Sequence, residues 1–230
     1  MALVLHDRAG DLLHDRPLPG GAPALLKFFT EEFAGVLVTD FWAAYNVVAA
    51  AARQACLVHL LRELEKVDAL NPSETWAAFR KKLKRLLGDA IRLGAQRETL
   101  PKETFASRRA LLDTRRDELL ATPWANAHAK RLLKRLRRYR NALFTFLDHP
   151  GVPSDNNHAE REIRPAVIIR KNSLCNRSDN GATAQATLMS VYRTLKLRGL
   201  DPLETIVSAL KHYVRTGSLP PLPGSRTSDS

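Results

Sequence analysis

The sequence predicts an α-rich α/β protein. The run Gly35-Val-Leu-Val-Thr-Asp40 is continuously β-branched or apolar, starts at a glycine and ends in an acid, as a strand covered by helices on both faces would. Helical periodicity dominates residues 42–147, and two more helical segments, 181–198 and 202–215, close the chain.

In chain order, Ala2–Leu5 reads as a short strand. Asp7-Arg-Ala-Gly-Asp11 then reads as a turn, and Leu12–Leu13 as the start of another strand. Pro17–Pro23 is a Pro/Gly loop, and Leu25, Leu26, Phe28, Phe29 and Phe33 give Ala24–Phe33 a helical spacing. After the Gly35–Asp40 strand, the Ala-rich stretch 43–55 leads into a helix over Cys56–Val67. The next helix runs Ser73–Leu93, with Ser73 as cap and Glu74 as first-turn acid. A helix over 102–120 follows, then Pro123 and a long basic helix, Ala125–Leu147. Ala166–Ile169 carries a weak strand signal. Gly199 caps the first closing helix and Pro202 opens the second, while the Pro/Ser/Gly-rich tail 217–230 predicts disorder.

Charge narrows the function classes. Lys and Arg total 36 against 24 Asp and Glu, a net charge of +12 over 230 residues, which points toward a polyanionic partner, DNA or RNA above all, and fits a merely basic soluble protein as well. Two cysteines, Cys56 and Cys175, exclude a disulfide framework and fit a reducing cytoplasm. No stretch approaches the roughly 20 apolar residues of a membrane span, and the first residues do not read as a signal peptide.

Three constellations carry candidate chemistry. Asp40, at a strand end, is costly to bury unless paired, capped or bound to a metal; it reads equally as the cap of a helix beginning near Trp42. Cys56-x-x-His59 is half of a zinc site, with no second pair at matching spacing. It also reads as a helical turn whose histidine is structural or supports the acid. The most specific stretch is Pro153-Ser-Asp-Asn-Asn-His-Ala-Glu-Arg-Glu-Ile-Arg-Pro165. Ser154, Asp155 and Asn156 can cap a helix, and the pairs Asn157/Arg161 and Glu160/Arg164 share helix faces. A capped surface helix explains the charges, but not the crowding of two Asn, His, Glu and Arg into one turn.

Taken together, TDFWAAYN, CLVHLLREL, SDNNHAEREIRPAVIIRKNS and RTLKLRGLDPLETI resemble, in order and spacing, the central and C-terminal region of insertion-sequence-66 family transposases. The resemblance spans about residues 20–215 and is most specific in DNNHAER. It implies a DDE-type DNA transposase with a ribonuclease-H-like fold and a large helical insertion between the second acid and the catalytic Glu. Asp40 then matches the second catalytic Asp and Glu160 the catalytic Glu, together holding Mg²⁺ (or Mn²⁺). Cys56, His59, Asn156, Asn157 and Arg161 support them. The implied division is 1–59 for a partial ribonuclease-H-like sheet, 60–150 for the insertion, 151–216 for the rest of the catalytic domain and 217–230 for the tail. Lys130, Arg131, Lys134, Arg135 and Arg138 on the basic helix, with Arg164, Arg170 and Lys171 beside the site, are the expected phosphate contacts.

The family pattern places a first Asp on an earlier strand, whereas 39 residues precede Asp40 here. The expectation is therefore a truncated ribonuclease-H-like fold, incompetent for catalysis alone. Two alternatives are a non-catalytic DNA-binding protein, and a nuclease using Asp7 or Asp11 as third acid. DNA is the expected partner, a homo-oligomer the family expectation, and the cytoplasm, at the nucleoid, the expected location.

Overall fold

The computed structural model describes residues 2–3, 22, 25–26, 29–172 and 178–224. It is a helix-rich α/β protein whose described strands form a three-stranded parallel sheet in the order β1-β2-β3. These are β1 (Ala2–Leu3), β2 (Phe33–Thr39) and β3 (Ala50–Ala55). β2 lies in the middle, with Val36 and Leu37 almost wholly buried, as its apolar run requires. Ala2 pairs with Val36 and Leu3 with Leu37 on one side. On the other, Thr39 pairs with Ala55, after a register shift between Phe33 and Val36.

The helices are α1 (Leu57–Leu70), α2 (Glu74–Ala95), α3 (Lys102–Ala121), α4 (Ala127–Arg138), α5 (Asn157–Asn172), α6 (Asp179–Leu197) and α7 (Pro202–Thr216). The chain divides into two compact units, the first holding residues 25–158 with β1, the second holding residues 159–230.

The first unit has one continuous core. Leu57, Leu60, Leu64 and Val67 form the buried stripe of α1, set at helical spacing between the sheet and the buried Trp76, Phe79, Leu83 and Leu87 of α2. Ala129, Leu132, Leu133 and Leu136 of α4 close it. Ser73 caps α2 as its sequence predicts, its hydroxyl accepting from the Trp76 N–H. Gln54, fully buried in β3, ties the sheet to the segment after α4. Its amide donates to the Leu143 carbonyl (3.1 Å) and accepts from the Phe146 N–H (2.9 Å).

In the second unit, Arg193 of α6 forms an ion pair with Glu162 of α5. α6 ends at a left-handed Gly199 (φ 69°), with the Leu200 N–H reaching back to the Leu195 carbonyl. Asp201 caps α7 and Pro202 occupies its first turn. Arg198 donates to the Pro223 carbonyl (2.6 Å), which fixes the tail to that position.

Four sequence expectations are corrected. Residues 50–55 are strand β3, not helix, because the ladder to β2 and the buried bonds of Gln54 outweigh the helical preference of alanine. Phe33 begins β2, its N–H bonded to the Ala49 carbonyl, so no helix extends to it. The basic helix is shorter than Ala125–Leu147: Asn126 caps it, Arg138 ends it, and the rest is two 3₁₀ turns, Arg140–Ala142 and Thr145–Leu147. Ala166–Ile169 is helical, within α5, which runs through Pro165. The turn at Asp7–Asp11, the strand at Leu12–Leu13 and Cys175 lie outside the described residues. Among the described residues no helix is long and apolar enough to cross a membrane.

Candidate functional site at the carboxyl edge of the sheet

Parallel strands leave their C-terminal ends open to whatever the following loops carry, and ligands of open α/β sheets gather there. Asp40 is the first residue beyond β2 and is half-buried. Its Oδ1 accepts the Trp42 N–H (2.9 Å) in a local turn just ahead of the 3₁₀ turn Ala43–Val47, whose own cap residue is Trp42, so the carboxylate does not cap that turn. Its Oδ2 has no hydrogen bond among the described residues. The Asp40 charge also reaches Tyr45, whose hydroxyl pKa is raised chiefly by burial and further by that charge.

The next strand end supplies Cys56 and His59. Cys56 follows β3 and precedes α1, and its N–H donates to the Thr39 carbonyl (2.8 Å), extending the ladder to the residue before Asp40. Burial pushes the Cys56 thiol above its ordinary value. The N–H groups of Asn156, His59 and Val58 oppose that shift, and the Asp155 charge reinforces it. Cys56 is therefore a neutral, buried thiol at neutral pH. Among the described residues no three His, Cys, Asp or Glu side chains gather as a metal-binding group.

The third contribution comes from Ser154–Asn157. The Leu57 N–H, first of α1, donates to the Ser154 carbonyl (2.9 Å), which docks this segment on the N-terminus of α1. The Asp155 carboxylate accepts from the Asn157 N–H (2.9 Å) and starts α5, as capping residues at these positions predict. Arg62, one turn beyond His59, donates to the Asn157 side-chain oxygen (3.2 Å). The Asn156 side-chain oxygen is buried and accepts no hydrogen bond among the described residues. Asp40, Cys56, His59, Asn156 and Asn157 thus share one edge of the first unit. Glu160 and Arg161 follow one turn along α5, within the second unit.

Sequence reasoning missed Arg62 and Arg53. Arg62 had a signal, three residues after His59 on one helix face. Arg53 had none: it holds the loop after Asp40 by donating to the Tyr45 carbonyl (2.9 Å) and the Val48 carbonyl.

The expected phosphate contacts divide. Lys130 and Lys134 are exposed and form no side-chain hydrogen bond or ion pair among the described residues. Arg131 and Arg135 both pair with Glu63 of α1, and the Arg135 guanidinium also lies 5.4 Å from the centre of the Phe41 ring. Exposed Arg138 lies over Tyr139, whose ring meets Phe41 edge-to-face at 5.2 Å. Arg161, Arg164 and Lys171 are exposed on α5, and the side chain of Arg170 lies outside the described residues.

Comparison with known proteins adds an independent line. The family model described as "Transposase IS66 family" matches residues 21–184. The uncharacterized protein y4qI of Sinorhizobium fredii is 27% identical over 85% of this chain and 41% of its own length. Protein y4jD of the same organism, also uncharacterized, is 26% identical over 87% of this chain and 44% of its own. The chain thus spans less than half the length of these curated relatives. No solved structure matches it.

Proposed function

The chain belongs to the IS66 family of transposases, and on that premise we propose that it carries two carboxylates of a DNA-cutting and DNA-joining site, Asp40 and Glu160, on a ribonuclease-H-like core. One observation bears most of the weight: Asp40 leaves the central parallel strand at the edge where Ser154–Asn157 is docked. The Glu160 helix begins from that docked segment.

The donor chemistry fits a hard divalent cation. Among the described residues, Asp40 keeps Oδ2 open while its other oxygen is held by the Trp42 N–H, and the buried Asn156 amide oxygen has no donor. Carboxylate and amide oxygens are what Mg²⁺ (or Mn²⁺) takes, completed by water and phosphate. Asp40 and Glu160 would hold it. When bound, it polarises the phosphate and makes the attacking hydroxyl more acidic. The chain's own residues orient and support. Trp42 and Arg53 fix the loop carrying Asp40. The neutral Cys56 fills the base of the edge without adding a competing charge. Arg62 holds Asn157, and exposed Arg161 and Arg164 are available to phosphates.

Mn²⁺ binding, followed by electron paramagnetic resonance, tests the assignment. Binding that weakens at least tenfold in both Asp40→Asn and Glu160→Gln is the expected result. Binding unchanged in either variant removes that residue from the site. DNA cleavage by the chain without a further acid would refute the expectation that it is incompetent alone, provided Asp40→Asn abolishes it.

A further inference from the structure

Helix α3 carries two groups of arginines, and only one of them is neutralised. On one face Arg109 and Arg116, joined by Arg140, pair with Asp113, Asp117 and Asp148, three cations against three carboxylates. Another face, at the helical spacing of residues 108, 111, 112 and 115, looks toward α2. There Arg115 donates to one oxygen of Asp89 (2.7 Å) and Arg92 to the other, while Arg85 lies 3.9 Å from the same carboxylate. Arg108 donates only to the neutral Gln96 side chain (3.2 Å). Four guanidiniums thus meet one carboxylate, and no other acid pairs with them among the described residues.

Asp89 organises these cations without cancelling them. Burial alone would raise its carboxyl, but the hydrogen bonds from Arg115 and Arg92 bring it below its ordinary value, so it is ionised at neutral pH. Both of its oxygens are taken, whereas Arg92, Arg108 and Arg115 each spend one of five N–H donors in these bonds.

The charges also converge on a cavity. Asp89, Arg92, Arg108 and Arg115 line a cleft of about 350 Å³ between α2 and α3, at the small end of the range for ligand pockets. Its other walls are aliphatic, with Leu93 and Leu112 buried and Leu111 56% exposed. Guanidinium forks with spare donors match the oxygens of a phosphate group. Gln96 is the one neutral polar side chain in the lining, so a body rich in hydroxyls would find few partners there. A nucleobase needs fewer, because its flat face packs on leucine or on a guanidinium plane.

We propose that the α2–α3 cleft binds a terminal phosphate together with its adjoining nucleobase, the phosphate on Arg92, Arg108 and Arg115 and the base against Leu111. A free nucleotide and the phosphorylated end of a DNA strand share this chemistry. The site is independent of the assignment of Asp40 and Glu160, which lie on other elements.

Isothermal titration calorimetry of the full chain with deoxyadenosine 5′-monophosphate tests this. Expected is one-site binding with a Kd below about 1 mM, and none for the unphosphorylated nucleoside. Arg108→Gln should weaken binding about tenfold and still fold, since Arg108 pairs with no carboxylate. Leu111→Ser should weaken the nucleotide but leave inorganic phosphate unchanged. Lys134→Gln, on the exposed face of α4, should change neither. Absence of nucleotide binding, or binding indifferent to Arg108→Gln, overturns the proposal. So does an equal loss in Lys134→Gln, which would show diffuse attraction to a basic protein. Nucleotide binding indifferent to Leu111→Ser overturns the place given to the base. Displacement by oligonucleotides separates the two sources. A 5′-phosphorylated strand that displaces the nucleotide at lower concentration than a hydroxyl-ended strand, and than free nucleotide itself, makes a DNA end the ligand. Without that advantage the ligand is a free nucleotide. Mn²⁺ binding should be unaffected by Arg108→Gln, so the two proposals fail separately.

Discussion

Replacing Gln54 by leucine should destabilise the first unit by about 1–4 kcal/mol. Gln54 is fully buried, and its amide is the donor for the Leu143 carbonyl and the acceptor for the Phe146 N–H. Leucine has nearly the same shape and offers neither. A buried backbone group left unpaired costs about 1–3 kcal/mol, so two cost about 2–6. The apolar side chain offsets only roughly 1–2 kcal/mol of that, below the full value for burying an exposed leucine, because it replaces a group already out of water. All three tryptophans belong to the first unit, so their fluorescence in a urea titration reports on it specifically. The expected readout is a lower midpoint with an unchanged slope. Gln54→Glu separates hydrogen bonding from shape: the ionised side chain can still accept from Phe146 but not donate to Leu143. Its deficit should therefore shrink on acidification, as protonation restores a donor. A loss below about 0.5 kcal/mol for Gln54→Leu, inside the ordinary scatter of neutral substitutions, would show that the 140–147 segment is held to β3 by packing alone.

A β-carbon at Gly94 would lie 2.6 Å from the Phe146 ring, so Gly94→Ala should destabilise the unit by about 1–3 kcal/mol in the same titration. Hydrogen bonds from Arg140 and Arg116 lower the Asp117 carboxyl to about 2. A depressed carboxyl stabilises the fold above its ordinary value and loses that contribution as pH falls from about 4 towards 2. The effect is small for so exposed a pair, and Asp117→Asn should flatten that part of the acid-unfolding curve. On α4, Lys134→Ala should reduce the salt dependence of the proposed DNA binding by about one unit of slope, measured by anisotropy, without changing stability. Arg135→Ala should instead lower stability, having lost both Glu63 and Phe41.

The parts of the fold that were legible in the sequence are those where local signals agree. The β2 run, the Ser73 cap, the Gly199 stop and the Pro202 start each read correctly because propensity, capping chemistry and burial point the same way. β3 did not read as a strand, because alanine carries helix preference and the sheet ladder that overrules it appears only in three dimensions. The β-branched run after Pro165 looked like a strand, but the cap at Asp155 had already committed that segment to α5. At the site, Asp40 and the Ser154–Asn157 turn stood out because acids and asparagines at element ends need partners. Arg62 had only its place one turn after His59 to mark it, and Arg53 could not stand out at all, since an arginine bonded to a carbonyl looks in sequence like any solvated charge.

The same ambiguity governs the positive charge on α4. Residues 130, 134 and 138 recur at intervals of four and stay on the outer face, whereas 131 and 135 turn toward α1 and are taken up by Glu63. Arg135 continues from Glu63 to Phe41, the residue directly after Asp40, and Phe41 meets Tyr139 at the end of the helix. Net charge predicts that such a helix attracts a polyanion, but it does not distinguish a side chain that meets phosphate from one that secures the loop beside the carboxylate. The contacts do so for Arg135, which Glu63 and Phe41 hold in a fixed position, while Arg131 pairs with Glu63 and remains largely exposed. On this helix Lys130, Lys134 and Arg138 are exposed, whereas Arg135 links Glu63 to Phe41, the residue after Asp40.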